Sequence, residues 1–279
     1  MVVVSAPASP ALAQPVVELT GLTRRFGDFT AVDRVSFAVA HGEAFGLIGA
    51  NGAGKSTIIR ILTTLLPPSE GTVLVAGFDV VRQAREVRRR IGYVPQLLSA
   101  DGALTAWENL LLSARLYGIP PREVRPRIDQ ALAAMELAAF AHRLVQGLSG
   151  GMIRRLEVAQ SMLHRPAVLF MDEPTVGLDP VARRAVLEHV AELRRRLGTT
   201  LVVTSHYMEE IDVLCDRLAV LNQGRLVALG TPAALKAQVG PGATLDDVFA
   251  ALSASPAGAA ATEGYRDVRQ SRRAASSHA

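Results

Sequence analysis

Gly49-Ala50-Asn51-Gly52-Ala53-Gly54-Lys55-Ser56-Thr57 lies between an apolar run at 43–48 and a helix-patterned run at 58–66. A glycine-rich turn between a strand and a helix lets backbone N–H groups converge on an anion, and the helix N-terminus adds about half a positive charge. Lys55 then reaches the terminal phosphates while Ser56 faces a magnesium ion. The ligand implied is a nucleoside triphosphate with Mg²⁺, cradled by Gly49, Asn51, Gly52, Ala53, Gly54, Lys55, Ser56 and Thr57.

The chain's 30 basic residues include only two lysines, Lys55 and Lys236, and one of them falls on this loop. A compact ammonium on a flexible stem enters a narrow backbone cradle that a flat guanidinium fork would not fit.

With 279 residues there is ample material for a buried core. The net charge of +4 is modest, and arginine runs such as 88–90 and 194–196 read as solvated helix faces, so nucleic acid is not an expected partner. The single cysteine, Cys215, falls in a helix-like stretch as buried filler; it excludes a disulfide framework and points to a reducing compartment. No apolar run of about 18 residues exists, so the chain is not expected to span a membrane by itself. Residues 1–15 lack the basic start of a signal peptide, are broken by Pro7 and Pro10, and read as a loose tail.

Strand-like runs occur at 16–22, 35–39, 44–48, 72–75, 168–171, 200–204, 218–221 and 225–229. Continuous apolar blocks followed by helical stretches suggest a sheet buried on both faces, and the early alternating strands suggest an antiparallel flank. The class is α/β. Between 97 and 160 the pattern becomes that of a helical insertion, with helices at 105–117, 122–139 and 150–163. Thr105 and Glu108 have capping-box spacing, and Gly118, Pro120 and Pro121 stop one helix and start the next. The main unit is read as 16–240, followed by a helix at 241–252 with an acidic first turn and a disordered tail at 253–279. No internal repeat is seen, so one nucleotide unit is expected.

Val168-Leu169-Phe170-Met171-Asp172-Glu173 is an apolar strand ending in two carboxylates, which places both at the sheet tip beside the phosphate loop. Asp172 is the candidate to hold Mg²⁺ and Glu173 the candidate to polarise the water that attacks the γ-phosphate. Leu148-Ser149-Gly150-Gly151-Met152 opens a second helix with anion-binding character, without a lysine.

Taken in this order, the loop, the Ser149-Gly150-Gly151 segment and the paired carboxylates resemble the ATP-binding cassette (ABC) family of ATPases over residues 16–235. That family's signature reads LSGGQ; Met152 replaces the glutamine, as in the subfamily that includes daunorubicin-resistance and nodulation-type exporters. Thr175-Val176-Gly177-Leu178-Asp179, the segment 226–232 and Leu245-Asp246-Asp247-Val248-Phe249 also resemble that subfamily. The implied fold is a P-loop NTPase (RecA-like) core with an antiparallel β subdomain and a helical insertion.

What the resemblance implies for single residues is as follows. Phe26 sets an aromatic ring against adenine. Gln96 meets the metal or the attacking water, and His206 contacts the γ-phosphate. Asp179 matches the family's D-loop at the nucleotide site, and with Pro180 behind it also has the makings of a helix N-cap. Ser149, Gly150 and Gly151 of one copy face the ATP held by another.

The implied partners are a second copy of the chain and a transmembrane permease, at the cytoplasmic face of the membrane, with ATP hydrolysis driving export. Two other readings stand beside this one. A non-transport ABC ATPase acting on DNA or ribosomes would carry a coiled-coil insert, cysteine-rich modules or two cassettes, and a P-loop kinase or GTPase would leave 148–151 and His206 without roles.

Overall fold

The computed structural model describes residues 15–253; the readings of tails at 1–15 and 253–279 lie outside them, Pro15 and Ser253 apart. In chain order the first elements are β1 (Val17–Phe26), β2 (Phe29–Val39), β3 (Ala44–Gly49), α1 (Lys55–Leu62), β4 (Glu70–Val75), β5 (Phe78–Asp79), α2 (Ala84–Arg88) and β6 (Ile91–Val94). Three helices follow, α3 (Ala106–Leu116), α4 (Pro121–Ala134) and α5 (Gly150–Met162). The chain continues through β7 (Val168–Asp172), α6 (Pro180–Leu197), β8 (Thr200–Ser205), α7 (Met208–Leu214), β9 (Arg217–Asn222), β10 (Arg225–Gly230), α8 (Pro232–Val239) and α9 (Leu245–Ser253).

Two sheets result. Strands β2-β1-β4-β5 form an antiparallel sheet, and β10-β9-β3-β8-β7-β6 form a six-stranded sheet that is parallel except for its edge strand β10. The interior strands of the larger sheet are continuous apolar runs because both faces are covered. Alternate residues feed two cores. Ile48, Leu169, Met171, Leu201, Val203 and Val220 pack against α3 to α9, while Phe45, Leu47, Phe170, Val202 and Leu221 pack against α1 and the antiparallel sheet. Phe45 and Phe170 are wholly buried, each contributing about 1.5–3 kcal/mol of apolar burial.

The register of the parallel strands positions the site. Ile48 lies opposite Ser205, Thr204 opposite Asp172, and Met171 opposite Val94. The C-terminal ends of β3, β8, β7 and β6 therefore meet along one rim, where open α/β sheets place their ligands.

Several expectations are corrected in detail. The helix expected over 122–139 ends at Ala134, because Glu136 adopts a left-handed φ of +53° before a separate 3₁₀ turn at Ala138–Phe140. The helix expected over 58–66 starts earlier, at Lys55, and stops at Leu62, with Thr64 at φ +63°. Cys215 is not inside a helix: it is the extended residue that closes α7, buried so that its thiol pKa is pushed up. The strands β5 and β6, two and four residues long, were not expected, being too short for a periodic signal; of the arginine run 88–90 read as a helix face, only Arg88 lies in the five-residue α2. The capping box at Thr105 and Glu108 is present, with both reciprocal bonds formed. Among the described residues no helix is long and apolar enough to cross a membrane.

Candidate functional site

Helix α1 begins at Lys55 with no side-chain cap and no acidic residue in its first turn. The amides of Lys55, Ser56 and Thr57 precede the first intrahelical bond, from Ile58 N to Gly54 O (3.0 Å), and so have no acceptor within the helix. Gly54 enters the helix at φ +100°, and a Cβ there would lie 2.6 Å from the Ala31 carbonyl, so the turn needs glycine both for its dihedral and for its contact with β2. Asn51 and Gly52 face solvent, whereas Ala53 is buried; the loop's outer edge is open and its base is packed.

Lys55 is 4% exposed, and its ammonium donates to Gly49 O (2.8 Å) and Ala50 O (3.2 Å). The chain's own carbonyls thus hold the charge over the loop. Its third neighbour is Glu173 Oε1 at 3.5 Å.

Three side chains, one from the start of α1 and two from the loops after β6 and β8, converge on Glu173. Beyond the Lys55 contact, Gln96 Nε2 donates to Glu173 Oε2 (3.4 Å) and His206 Nδ1 lies 3.3 Å from the same oxygen. Glu173 itself is 8% exposed and sits at φ +47°, a backbone conformation uncommon for a residue with a side chain and frequent at functional sites.

The adjacent carboxylate faces α1. Asp172 Oδ1 accepts from Ser56 Oγ (3.1 Å) and from Thr204 Oγ1 (2.7 Å), and the Thr204 hydroxyl accepts from Glu173 N (2.8 Å). One buried threonine thereby fixes both acids. The Ser56 hydroxyl and Asp172 carboxylate form a hard-oxygen pair next to the phosphate cradle, a donor set that fits Mg²⁺, which takes few protein ligands. The Tyr93 phenol pKa is pushed up by burial and by the nearby Asp172 charge.

The other sequence-predicted residues lie apart from this cluster. Phe26 is 46% exposed at the end of β1, with the Arg24 guanidinium 4.6 Å from its ring centre; its face is not committed to the core. Ser149 caps α5 by accepting from Met152 N (3.3 Å), with Gly150 exposed beside it. Gly151 is buried, and a Cβ on it would come within 2.7 Å of the Ala182 side chain, so close packing of α5 on α6 also requires this glycine. Asp179 caps α6, accepting from Val181 N (3.0 Å) and Ala182 N (2.9 Å). Among the described residues no hydrogen bond or ion pair joins 149–151 or Asp179 to the phosphate loop.

Sequence reasoning missed Thr204, Tyr93 and the pair Arg154–Glu157. Arg154 is 1% exposed and donates to Pro95 O (2.6 Å), Gln96 O (2.7 Å) and Glu157 Oε2 (2.9 Å). Glu157 in turn accepts from Ser99 N, Ser99 Oγ (3.0 Å) and Ala100 N (3.2 Å). Helix α5 thus clamps the segment carrying Gln96. The one available signal was the acid three residues after the arginine inside a helix, a spacing common on solvated faces.

Comparison with known proteins gives the family and the fold. The family model described as "ABC transporter" matches residues 32–176. The Nod factor export ATP-binding protein I of Sinorhizobium fredii is 46% identical over 78% of this chain, which spans 64% of that protein. A daunorubicin resistance ATP-binding protein of Streptomyces coeruleorubidus is 43% identical over 82% of this chain and 72% of its own length. A solved ATP-binding cassette, dimeric and bound to ADP and phosphate in a post-hydrolysis state, superposes with a TM-score of 0.69 at 27% identity, covering 77% of this chain and 98% of the other.

Proposed function

The chain belongs to the ABC transporter family, and on that premise we propose that it is the ATP-binding and ATP-hydrolysing subunit of an exporter. The observation that carries the proposal is the convergence of Lys55, Gln96 and His206 on the Glu173 carboxylate beside an uncapped helix N-terminus.

In this reading the α1 amides and Lys55 neutralise the β- and γ-phosphates, and the Phe26 ring stacks on the base. Ser56 and Asp172, with Gln96, would hold Mg²⁺; bound there, the ion would offset charge on the phosphate oxygens. Glu173 takes a proton from the attacking water. Gln96 and His206 orient that water and the γ-phosphate, and Thr204 keeps the two carboxylates in their separate roles. Ser149, Gly150, Gly151 and Asp179 do not meet the phosphate loop of their own copy, which supports binding of ATP between two copies. Closure of such a pair by ATP, and its release on hydrolysis, would move a separate transmembrane partner at the inner face of the membrane. Relatives designated for Nod factor export and for daunorubicin resistance favour an exporter over a role on DNA or ribosomes.

Lys55→Ala tests the cradle. It removes charge-assisted contacts contributing about 1.5–3 kcal/mol, so calorimetric titration with ATP should show affinity weakened roughly 10- to 100-fold. Unchanged affinity would remove the phosphate assignment.

A further inference from the structure

The hydrolysis cluster has a neighbour that the roles above leave unused. The His206 ring lies 4.1 Å from the Tyr207 ring, tilted by 37°, and the Arg183 guanidinium sits 3.6 Å over the centre of the Tyr207 ring on its own account. Arg183 belongs to the first turn of α6, where its amide donates to Asp179 O (2.9 Å). Glu210, 8% exposed, completes the group. Its Oε2 accepts from Thr175 Oγ1 (2.9 Å) and Ser205 Oγ (3.2 Å), and its Oε1 lies 3.3 Å from Arg183 Nε. The last contact is off-line: among the described residues neither Arg183 Nε nor Glu210 Oε1 has a hydrogen-bond partner. The guanidinium plane is therefore set by the tyrosine face, with the carboxylate acting as a nearby charge.

We propose that Tyr207, held under the Arg183 guanidinium, is a positioning residue that ties the place of the His206 ring to the 175–183 segment. This rests on the reading of Glu173 and His206 as hydrolysis residues. Two routes join the same ends: His206 to Tyr207 to Arg183 to the Asp179 turn, and Ser205 to Glu210 to Thr175. A shift of the 175–183 segment of the kind a second copy would impose must drag the ring that stands 3.3 Å from Glu173. Burial pushes the Glu210 pKa up, and the hydroxyls of Thr175 and Ser205 and the Arg183 charge oppose that shift. The Tyr207 hydroxyl makes no hydrogen bond among the described residues, so the ring face alone carries the coupling.

Steady-state ATP turnover of the full chain decides the matter, using Tyr207→Ala, Tyr207→Phe, Arg183→Met and, as reference, Glu173→Gln. Misplacement of a reacting group by about 1 Å costs up to about 100-fold, so Tyr207→Ala should lower kcat by roughly 10- to 100-fold with KM for ATP unchanged. Tyr207→Phe, which keeps the ring, should restore the parent kcat, and Arg183→Met should lower kcat with KM unchanged even if Tyr207→Ala does not fold. Parent-like kcat in Tyr207→Ala or Arg183→Met, or a loss in Tyr207→Phe equal to that in Tyr207→Ala, overturns the proposal. If Glu173→Gln is inactive in the same series, that failure is the positioning role's alone. An active Glu173→Gln instead sinks the hydrolysis reading and this proposal with it.

Discussion

Glu173→Gln should cut ATP turnover about 10²- to 10⁴-fold, the range that a positioned general base contributes. The substitution is nearly isosteric, so the unusual φ of +47° and the hydrogen bond from the residue-173 amide to the Thr204 hydroxyl persist, and Gln96 and His206 keep a polar neighbour. What disappears is a carboxylate able to take a proton from water, together with the negative charge 3.5 Å from the Lys55 ammonium. Removing that charge frees Lys55 to serve phosphate alone, so ATP affinity should hold or rise while turnover falls. Single-turnover measurement of phosphate release at saturating ATP checks this. Turnover near the parent rate would assign the base elsewhere.

Arg154→Met should destabilise the chain by about 3–5 kcal/mol, because it leaves Glu157 as an uncompensated charge in the interior. Both side chains of the pair are 2% exposed. The loss would also release the carbonyls of Pro95 and Gln96, which the guanidinium holds from behind. The double variant Arg154→Met/Glu157→Leu removes both charges and should recover most of the stability, since a buried pair and an apolar replacement of similar volume come out nearly equal. Urea unfolding midpoints of the two variants separate these outcomes. If the double variant regains stability yet turns over slowly, the clamp on the Gln96 segment matters for chemistry as well as for folding.

Legibility in the sequence followed how local each feature is. The run 49–57 could be read because strand, glycine turn, lysine and helix are contiguous, and 168–173 because a strand of apolar residues ends abruptly in two acids. The buried parallel sheet and antiparallel flank were likewise legible, since continuous and alternating apolar runs differ by eye. Thr204 was not. Its importance comes from the register that sets it opposite Asp172, a pairing between strands separated by α6. Arg154 and Glu157 have a spacing that carries no sign of burial, yet both are buried because 95–100 folds over them. Phe26 shows the reverse case: an aromatic residue that composition alone would send to the core stays 46% exposed, because β1 and β2 turn at residues 27–28, beyond the packed part of their sheet.

Binding of ATP between two copies is tested most directly by the mass of Glu173→Gln in solution, read by light scattering with and without Mg²⁺ and ATP. Shared binding predicts the mass of one chain without nucleotide and of two chains with it, a shift abolished by Ser149→Arg, which obstructs the α5 N-terminus. A one-chain mass at saturating ATP, persisting when the transmembrane partner is supplied, would contradict it.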